Sequence, residues 1–244
     1  LAGQREAGAR PGIVKATRSA PNVSSRELDY IVSRYDRVAR FYRAGEPLFL
    51  ISPLARRKAI SALELRQGDT VLEVGAGTGR NLDYLVDAVG SSGRVIAVDA
   101  SPGMLAQASR LVRQRGWSNV TLHQQDAAHL AVEDDLDAAL FSLSYSVIPD
   151  PRAALAAVWE RMRPSARVVV MDLGLTHSPL RGLLGPIANL LDKAVAPGDP
   201  YSEPWKDLAE YGHVDIERFL LDLYYVCVVQ KQATELTDSH GQAI

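Results

Sequence analysis

From residue 70 the sequence alternates short β-branched runs with stretches of helical periodicity: TVLEV, RNLDYLVDAV, RVIAV, SPGMLAQASRLVRQR, NVTLH, DAALF, PRAALAAVWERM and RVVVMDL. This rhythm constrains the fold more than any other feature, because it is the pattern of stacked β-α-β units around a parallel sheet. Short connecting turns and right-handed crossovers follow. Two later runs, VDIERFLL and YYVCVVQ, are joined tightly through Asp222. Strands so closely connected must be antiparallel. A chain of 244 residues, 47% of them hydrophobic, can bury one large core of this kind. An α/β fold with an appendage is therefore expected.

The sharpest local feature is Glu73-Val74-Gly75-Ala76-Gly77-Thr78-Gly79, which follows one strand and precedes a helix. Its glycines let the backbone turn tightly and approach a ligand, and free N–H groups at the helix start favour an anion. A nicotinamide dinucleotide fingerprint calls for glycine at the next position of its spacing, where Arg80 stands, and no Gly-Lys-Ser/Thr follows to make a phosphate-binding loop. Asp99 closes the second strand, at a separation suited to a carboxylate that bonds ribose hydroxyls, and Asp126 follows the third. Three consecutive strand ends thus offer a glycine turn, an acid and a second acid. Each acid also has a structural reading: Asp99 as a cap for the helix at Ser101 and Pro102, Asp126 as a loop stabiliser.

Over residues 30 to 230 this constellation resembles the class I S-adenosylmethionine-dependent methyltransferases, with VLEVGAGTGRN as their first motif, VDAS with Met104 as their ribose and adenine edge, and QDAAHL as their adenine-amine contact. The resemblance implies a Rossmann-like sheet of seven strands, mostly parallel with the last antiparallel, and helices on both faces. It also implies S-adenosylmethionine as cofactor. The binding set it implies is Glu73, Gly75, Ala76, Gly77, Gly79 and Asn81, then Asp99, Ala100 and Met104, then Asp126 and Ala127, with Ser142 and Tyr35. The segment Tyr35 to Tyr42 resembles the entry helix of quinone-biosynthesis C-methyltransferases, with Arg43 in place of their final Asp. Phe141 to Asp150 is similar to the fourth-strand segment of bacterial betaine-lipid and phospholipid N-methyltransferases. A small hydrophobic or lipid-like acceptor is expected, an amine ranked above a quinone-type carbon. Tyr145 is the catalytic candidate, to orient the acceptor or accept its proton. An NAD(P)-binding oxidoreductase and a non-catalytic nucleotide-binding module are the other readings.

Outside the repeating region, residues 1 to 23 lack apolar periodicity and read as a mobile tail, and residues 233 to 244 read as a tail. Residues 24 to 66 read as a helical cap of two helices, 24 to 43 and 54 to 65, that lies over the site and places Tyr35 and Tyr42 on one face. The methyltransferase domain is then 67 to 232, with a lid insertion at about 174 to 212. Residues 1 to 60 carry 12 Lys/Arg against 5 Asp/Glu, and the remainder 15 against 24. Arg26, Arg34, Arg37 and Arg40 on the first helix could meet an anionic membrane, which makes a peripheral contact through residues 24 to 60 an expectation. A cytoplasmic location is expected, since one cysteine, Cys227, allows no internal disulfide and the sequence has no spanning or signal segment. No metal site is expected without His-x-x-x-His or paired Cys. Nucleic acid is not expected as a partner, because the region beyond residue 60 is acidic and its fourth strand ends in Phe-Ser-Leu-Ser.

Overall fold

Continuous rather than alternating hydrophobicity marks the central strands, and such strands need cover on both faces. In the computed structural model, which describes residues 13–15, 23–45, 53–186 and 198–233, that cover is complete. β2 (Thr70–Val74), β3 (Arg94–Asp99), β4 (Val120–Gln124), β5 (Leu136–Ser142) and β6 (Met162–Leu173) lie parallel. β8 (Tyr224–Gln230) runs antiparallel between β6 and β7 (Val214–Phe219). The mostly parallel sheet with an antiparallel last strand is thus as the sequence implies.

An eighth strand is present as well. β1 (Ile13–Lys15) pairs parallel with β4, giving the order β1-β4-β3-β2-β5-β6-β8-β7. The reading of residues 1 to 23 as a tail missed it, because three residues are too few to show a period. The free edge of β4 supplies the partner, and Ile13 packs on the core. The remainder of residues 1 to 22 and residues 234 to 244 lie outside the described residues.

Along β2, Val71 enters one core and Leu72 and Val74 the other, as the two-residue side-chain period requires. The first core joins α2 (Pro53–Ala62), α3 (Leu82–Val89) and α4 (Pro102–Arg115) through Ala59, Leu82, Leu85, Leu105 and Ala108. Leu82 and Leu85 are fully buried, and each such side chain contributes about 1.5 to 3 kcal/mol. The second core seats α5 (Pro151–Arg161) through Leu155 and Val158. Asp150 caps α5 by accepting from the Ala153 N–H at 2.9 Å, with Pro151 in the first turn.

Two expected boundaries move. α1 (Val23–Gly45) matches the first cap helix, but α2 ends at Ala62 and packs on β5, β6 and β8, so it belongs to the sheet face rather than to a cap. In the 174 to 212 insertion, the described residues buttress the body. Leu175 N–H donates to the Pro200 carbonyl, Asp199 N–H donates to the Ser146 carbonyl, and α6 (Trp205–Leu208) sets the Trp205 ring edge-on to Tyr225.

From β2 the chain builds outward through β3 to β4, whereas β5 lies on the other side of β2 and leads to β6. That reversal opens a crevice at the carboxyl ends of β2 and β5, the place where open α/β sheets bind ligands.

Candidate functional site

A cleft occupies this switch point. Its polar wall comes from the ends of β2, β3 and β4. Glu73, Gly75, Ala76, Gly77 and Asn81 line it, followed by Asp99, Ala100, Met104, Asp126 and Ala127, with Ser142 from β5 and Tyr35 from α1. The binding residues expected from sequence are therefore brought together, apart from Gly79.

The three turn glycines serve different ends. A Cβ on Gly75 would lie 2.4 Å from Ser144 Cβ, so that glycine admits the β5 segment. A Cβ on Gly79 would meet Leu82 Cδ1 at 2.7 Å and Ala108 Cβ at 3.3 Å, so Gly79 is a packing position between α3 and α4 rather than a ligand contact. Gly77, with φ of 56°, has open space where its side chain would stand. It is the one of the three whose missing side chain leaves the cleft clear.

The turn was expected to offer N–H groups to an anion, but most of these are used within the protein. Gly75 and Ala76 donate to the Val98 carbonyl at 2.8 and 3.0 Å, Gly77 donates to Asp99 Oδ2 at 2.7 Å, and Gly79 donates to the Ala76 carbonyl at 3.0 Å. The turn supplies shape more than donors, which disfavours a pyrophosphate and suits a ligand without one.

Charge inside the cleft is costly and locally organised. Glu73 is 1% exposed, and burial pushes its carboxyl up to about 7, against the opposing pull of Asn81 and the Arg56 guanidinium. Arg56, reaching in from α2, donates to Asn81 Oδ1 at 2.9 Å, and Asn81 Nδ2 donates to Glu73 Oε1 at 2.6 Å. Asn81 thus spends its amide holding Glu73. Asp99, also raised by burial, to about 6, accepts from Gly77 N–H and, at 2.8 Å, from Ser101 N–H. Asp126 accepts from Ala128 N–H at 3.0 Å and faces His129 Nδ1 at 3.1 Å, which makes it a turn cap as well as a lining residue.

Four buried polar atoms of cleft-lining residues have no hydrogen-bond partner among the described residues: Glu73 Oε2, Thr78 Oγ1, Gln125 Nε2 and Ser142 Oγ. Native structures leave few such atoms, since each costs roughly 1 to 3 kcal/mol. Their gathering in one cleft fits a polar ligand, and the acid, amide and hydroxyl groups suit the ammonium, adenine and hydroxyl functions of S-adenosylmethionine.

The opposite wall is apolar. Leu28, Ile31, Val32 and Tyr35 repeat at three- and four-residue intervals on α1 and face Leu143, Val147, Ile148 and Pro149 after β5. Leu143 adopts a φ of 56°, a left-handed conformation rare for a branched side chain and common at ligand sites. Sequence reading missed this residue, Thr78, Gln125 and Arg56; only the polar residues after β2 and β4 carried a signal, as immediate neighbours of the motifs. Tyr42 was expected beside Tyr35, but its side chain lies outside the described residues.

Tyr145 is not in the cleft. A turn of 3-10 helix at Tyr145–Val147 swings it beneath the sheet edge, 1% exposed, edge-on to Phe141, with its hydroxyl 2.9 Å from Asp207 Oδ2. Burial and the Asp207 charge raise its pKa, and its ring lies outside the cleft lining, so the geometry does not support the catalytic role expected of it. Nor does any described residue of the 174 to 212 insertion line the cleft.

Comparisons with known proteins agree with this geometry. Residues 71–165 match the family model for a methyltransferase domain. The chain is similar to a 2-phytyl-1,4-naphtoquinone methyltransferase of Synechococcus elongatus, 29% identical over 77% of this chain and 80% of that protein. It is also similar to a ubiquinone/menaquinone biosynthesis C-methyltransferase of Cellvibrio japonicus, 28% identical over 62% of this chain and 59% of that protein. In fold it resembles a SAM-dependent methyltransferase of Aquifex aeolicus, with TM-score 0.57, 22% identity and coverage of 76% and 97%. DhpI, solved with SAH, gives TM-score 0.60 at 19% identity, with coverage of 84% and 97%. Residues 71–165 are thus a methyltransferase domain, and a turn that disfavours pyrophosphate, a cleft with unmet polar groups and relatives of this kind support a class I S-adenosylmethionine-dependent methyltransferase.

Proposed function

We propose that this enzyme methylates a small, hydrophobic, ring-bearing acceptor held against α1, with a quinone-type carbon as the methylated atom. The observation that carries this reading is the division of one cleft into a polar wall and an apolar wall lined by Leu28, Ile31, Val32, Leu143 and Ile148. The two quinone methyltransferases among its relatives support the acceptor class.

When bound, S-adenosylmethionine supplies an electrophilic methyl group on a sulfonium. Glu73 Oε2 would hold the ammonium end, Asp99 the ribose hydroxyls through the lone pairs its two backbone bonds leave over, and Gln125 and Asp126 the adenine edge. Leu28, Ile31 and Val32 would exclude water, and the Tyr35 ring, which lines the same cleft, would offer a bound sulfonium a cation-π attraction of about 0.5 to 2 kcal/mol. Catalysis is then chiefly alignment in a dry cleft.

A lipid-like amine is the second reading. The exposed Arg26, Arg37 and Arg40 on α1 favour it, because they suit a peripheral site on an anionic membrane. Incubating the enzyme with methyl-labelled cofactor and a total lipid extract, then separating quinones, phospholipids and the aqueous phase, tests both. Label in the quinone fraction is expected. Label in phospholipid selects the amine reading, and label confined to the aqueous phase ends both.

A further inference from the structure

The apolar wall of the cleft rides on α1, and Asp36 helps fasten α1 to the sheet domain. Asp36 follows Tyr35 directly and turns away from the cleft toward the start of α4. Its Oδ1 accepts from the Ser101 hydroxyl and, at 2.8 Å, from the Gly103 N–H. The first turn of α4 contains no acidic residue of its own, so Asp36 supplies the negative charge that a helix N-terminus favours. Gly103 makes the approach possible: a Cβ there would stand 2.7 Å from Asp36 Oδ1 and 3.2 Å from Asp36 Cα. Ala39, one turn further on, is 3% exposed.

Ser101 serves two masters. Its N–H donates to Asp99 Oδ1 at 2.8 Å, its hydroxyl donates to Asp36, and the same oxygen accepts the Met104 N–H at 3.1 Å. Asp99 and Asp36 are therefore joined through one residue, and the Asp36 charge is felt at Asp99. Anything that reorganises the bonds of Asp99 bears on the seat of Asp36.

We propose that Asp36 is a positioning residue that latches α1 to the N-terminus of α4 and, through Ser101, couples occupancy of the Asp99 site to the placement of the acceptor wall formed by Leu28, Ile31, Val32 and Tyr35. The inference rests on the proposed function only in assigning that wall to the acceptor. The latch itself can be tested without an acceptor.

The experiment is hydrogen exchange across residues 28 to 40, with and without S-adenosylhomocysteine, on the full chain and on Asp36→Ala, Asp36→Asn and Gly103→Ala, with binding of the same ligand measured by calorimetry. Without ligand, Asp36→Ala should exchange at least tenfold faster in α1 while β2 and β3 stay unchanged. Gly103→Ala should act likewise from the other side of the contact without altering α1 itself. Asp36→Asn, which keeps the acceptor oxygen, should recover most of the protection. Ligand should slow exchange of α1 in the natural protein and lose that effect in Asp36→Ala, even where calorimetry shows the ligand bound. Unchanged α1 exchange in both Asp36→Ala and Gly103→Ala overturns the latch, and retained ligand-induced protection in Asp36→Ala overturns the coupling. Failure of the natural protein to bind S-adenosylhomocysteine at all would refute the site reading and the coupling, while the comparison without ligand still decides the latch.

Discussion

The two walls of the cleft are built by different means. The polar wall consists of strand ends and the turns that follow them, so its residues lie within a few positions of β2, β3, β4 and β5, and their side chains hold one another in place: Arg56 to Asn81 to Glu73, and Gly77 and Ser101 to Asp99. The apolar wall is assembled from α1 and from the turn after β5, more than a hundred residues apart in sequence, and its α1 part is held to the sheet domain by the bonds that Asp36 accepts from Ser101 and Gly103. The polar wall is thereby tied to the rigid sheet, while the apolar wall depends on docking of a helix. One wall is fixed by the core; the other can be altered without disturbing it.

Substitutions should separate these contributions, the glycine turn most strongly. Gly79→Val should destabilise the protein by roughly 3 kcal/mol or more, because overpacking against Leu82 and Ala108 adds to a left-handed backbone. Gly77→Val, in open space, should cost only about 1 to 2 kcal/mol in folding yet weaken S-adenosylhomocysteine binding by about 100-fold or more, as thermal melts and calorimetry would reveal. Equal losses of stability for the two would remove the distinction drawn between them. Next in size, Asp99→Ala should weaken cofactor binding by about 1 to 3 kcal/mol. An unchanged affinity would take Asp99 out of the site.

The pH dependence of binding follows from Glu73. Its carboxyl is raised from 4.5 to about 7, so below that pH the free enzyme holds a proton that a cationic ammonium must displace. Affinity for S-adenosylhomocysteine should rise from pH 5 to 7 and level off above, and Glu73→Gln should flatten the profile. The contribution of Glu73 to folding has the opposite sign, because a raised carboxyl stabilises the fold below its unfolded value of 4.5 and that contribution is lost as pH rises through 7. On the apolar wall, Ile31→Ser should raise the acceptor KM several-fold with the cofactor Kd unchanged. Smallest of all, Tyr145→Phe should leave turnover intact and cost about 1 kcal/mol of stability, since only its bond to Asp207 is lost. A large fall in turnover would return Tyr145 to the catalytic machinery.

The sequence by itself determined the parallel α/β sheet apart from β1, its antiparallel closing pair and the glycine turn and acids of the polar wall, while the resemblance its motifs carry implied the other residues of that wall. Hydrophobic runs, glycine turns and acids at strand ends are local features, which a strand-helix rhythm displays one after another. Tertiary structure decided what local pattern cannot express. Tyr145 sits in a segment rich in polar residues, yet a 3-10 turn carries it into the core toward Asp207, sixty-two residues away. Gly79 reads as part of a ligand turn until the approach of Ala108 shows that it is a packing position. Arg56 from α2 and Asp36 from α1 reach their partners only once helices far off in sequence have docked, and β1 exists only because β4 has a free edge. Side chains that act within their own strand and turn were legible, whereas those whose partners are supplied by another element were not, because burial and close approach are properties of the assembled core.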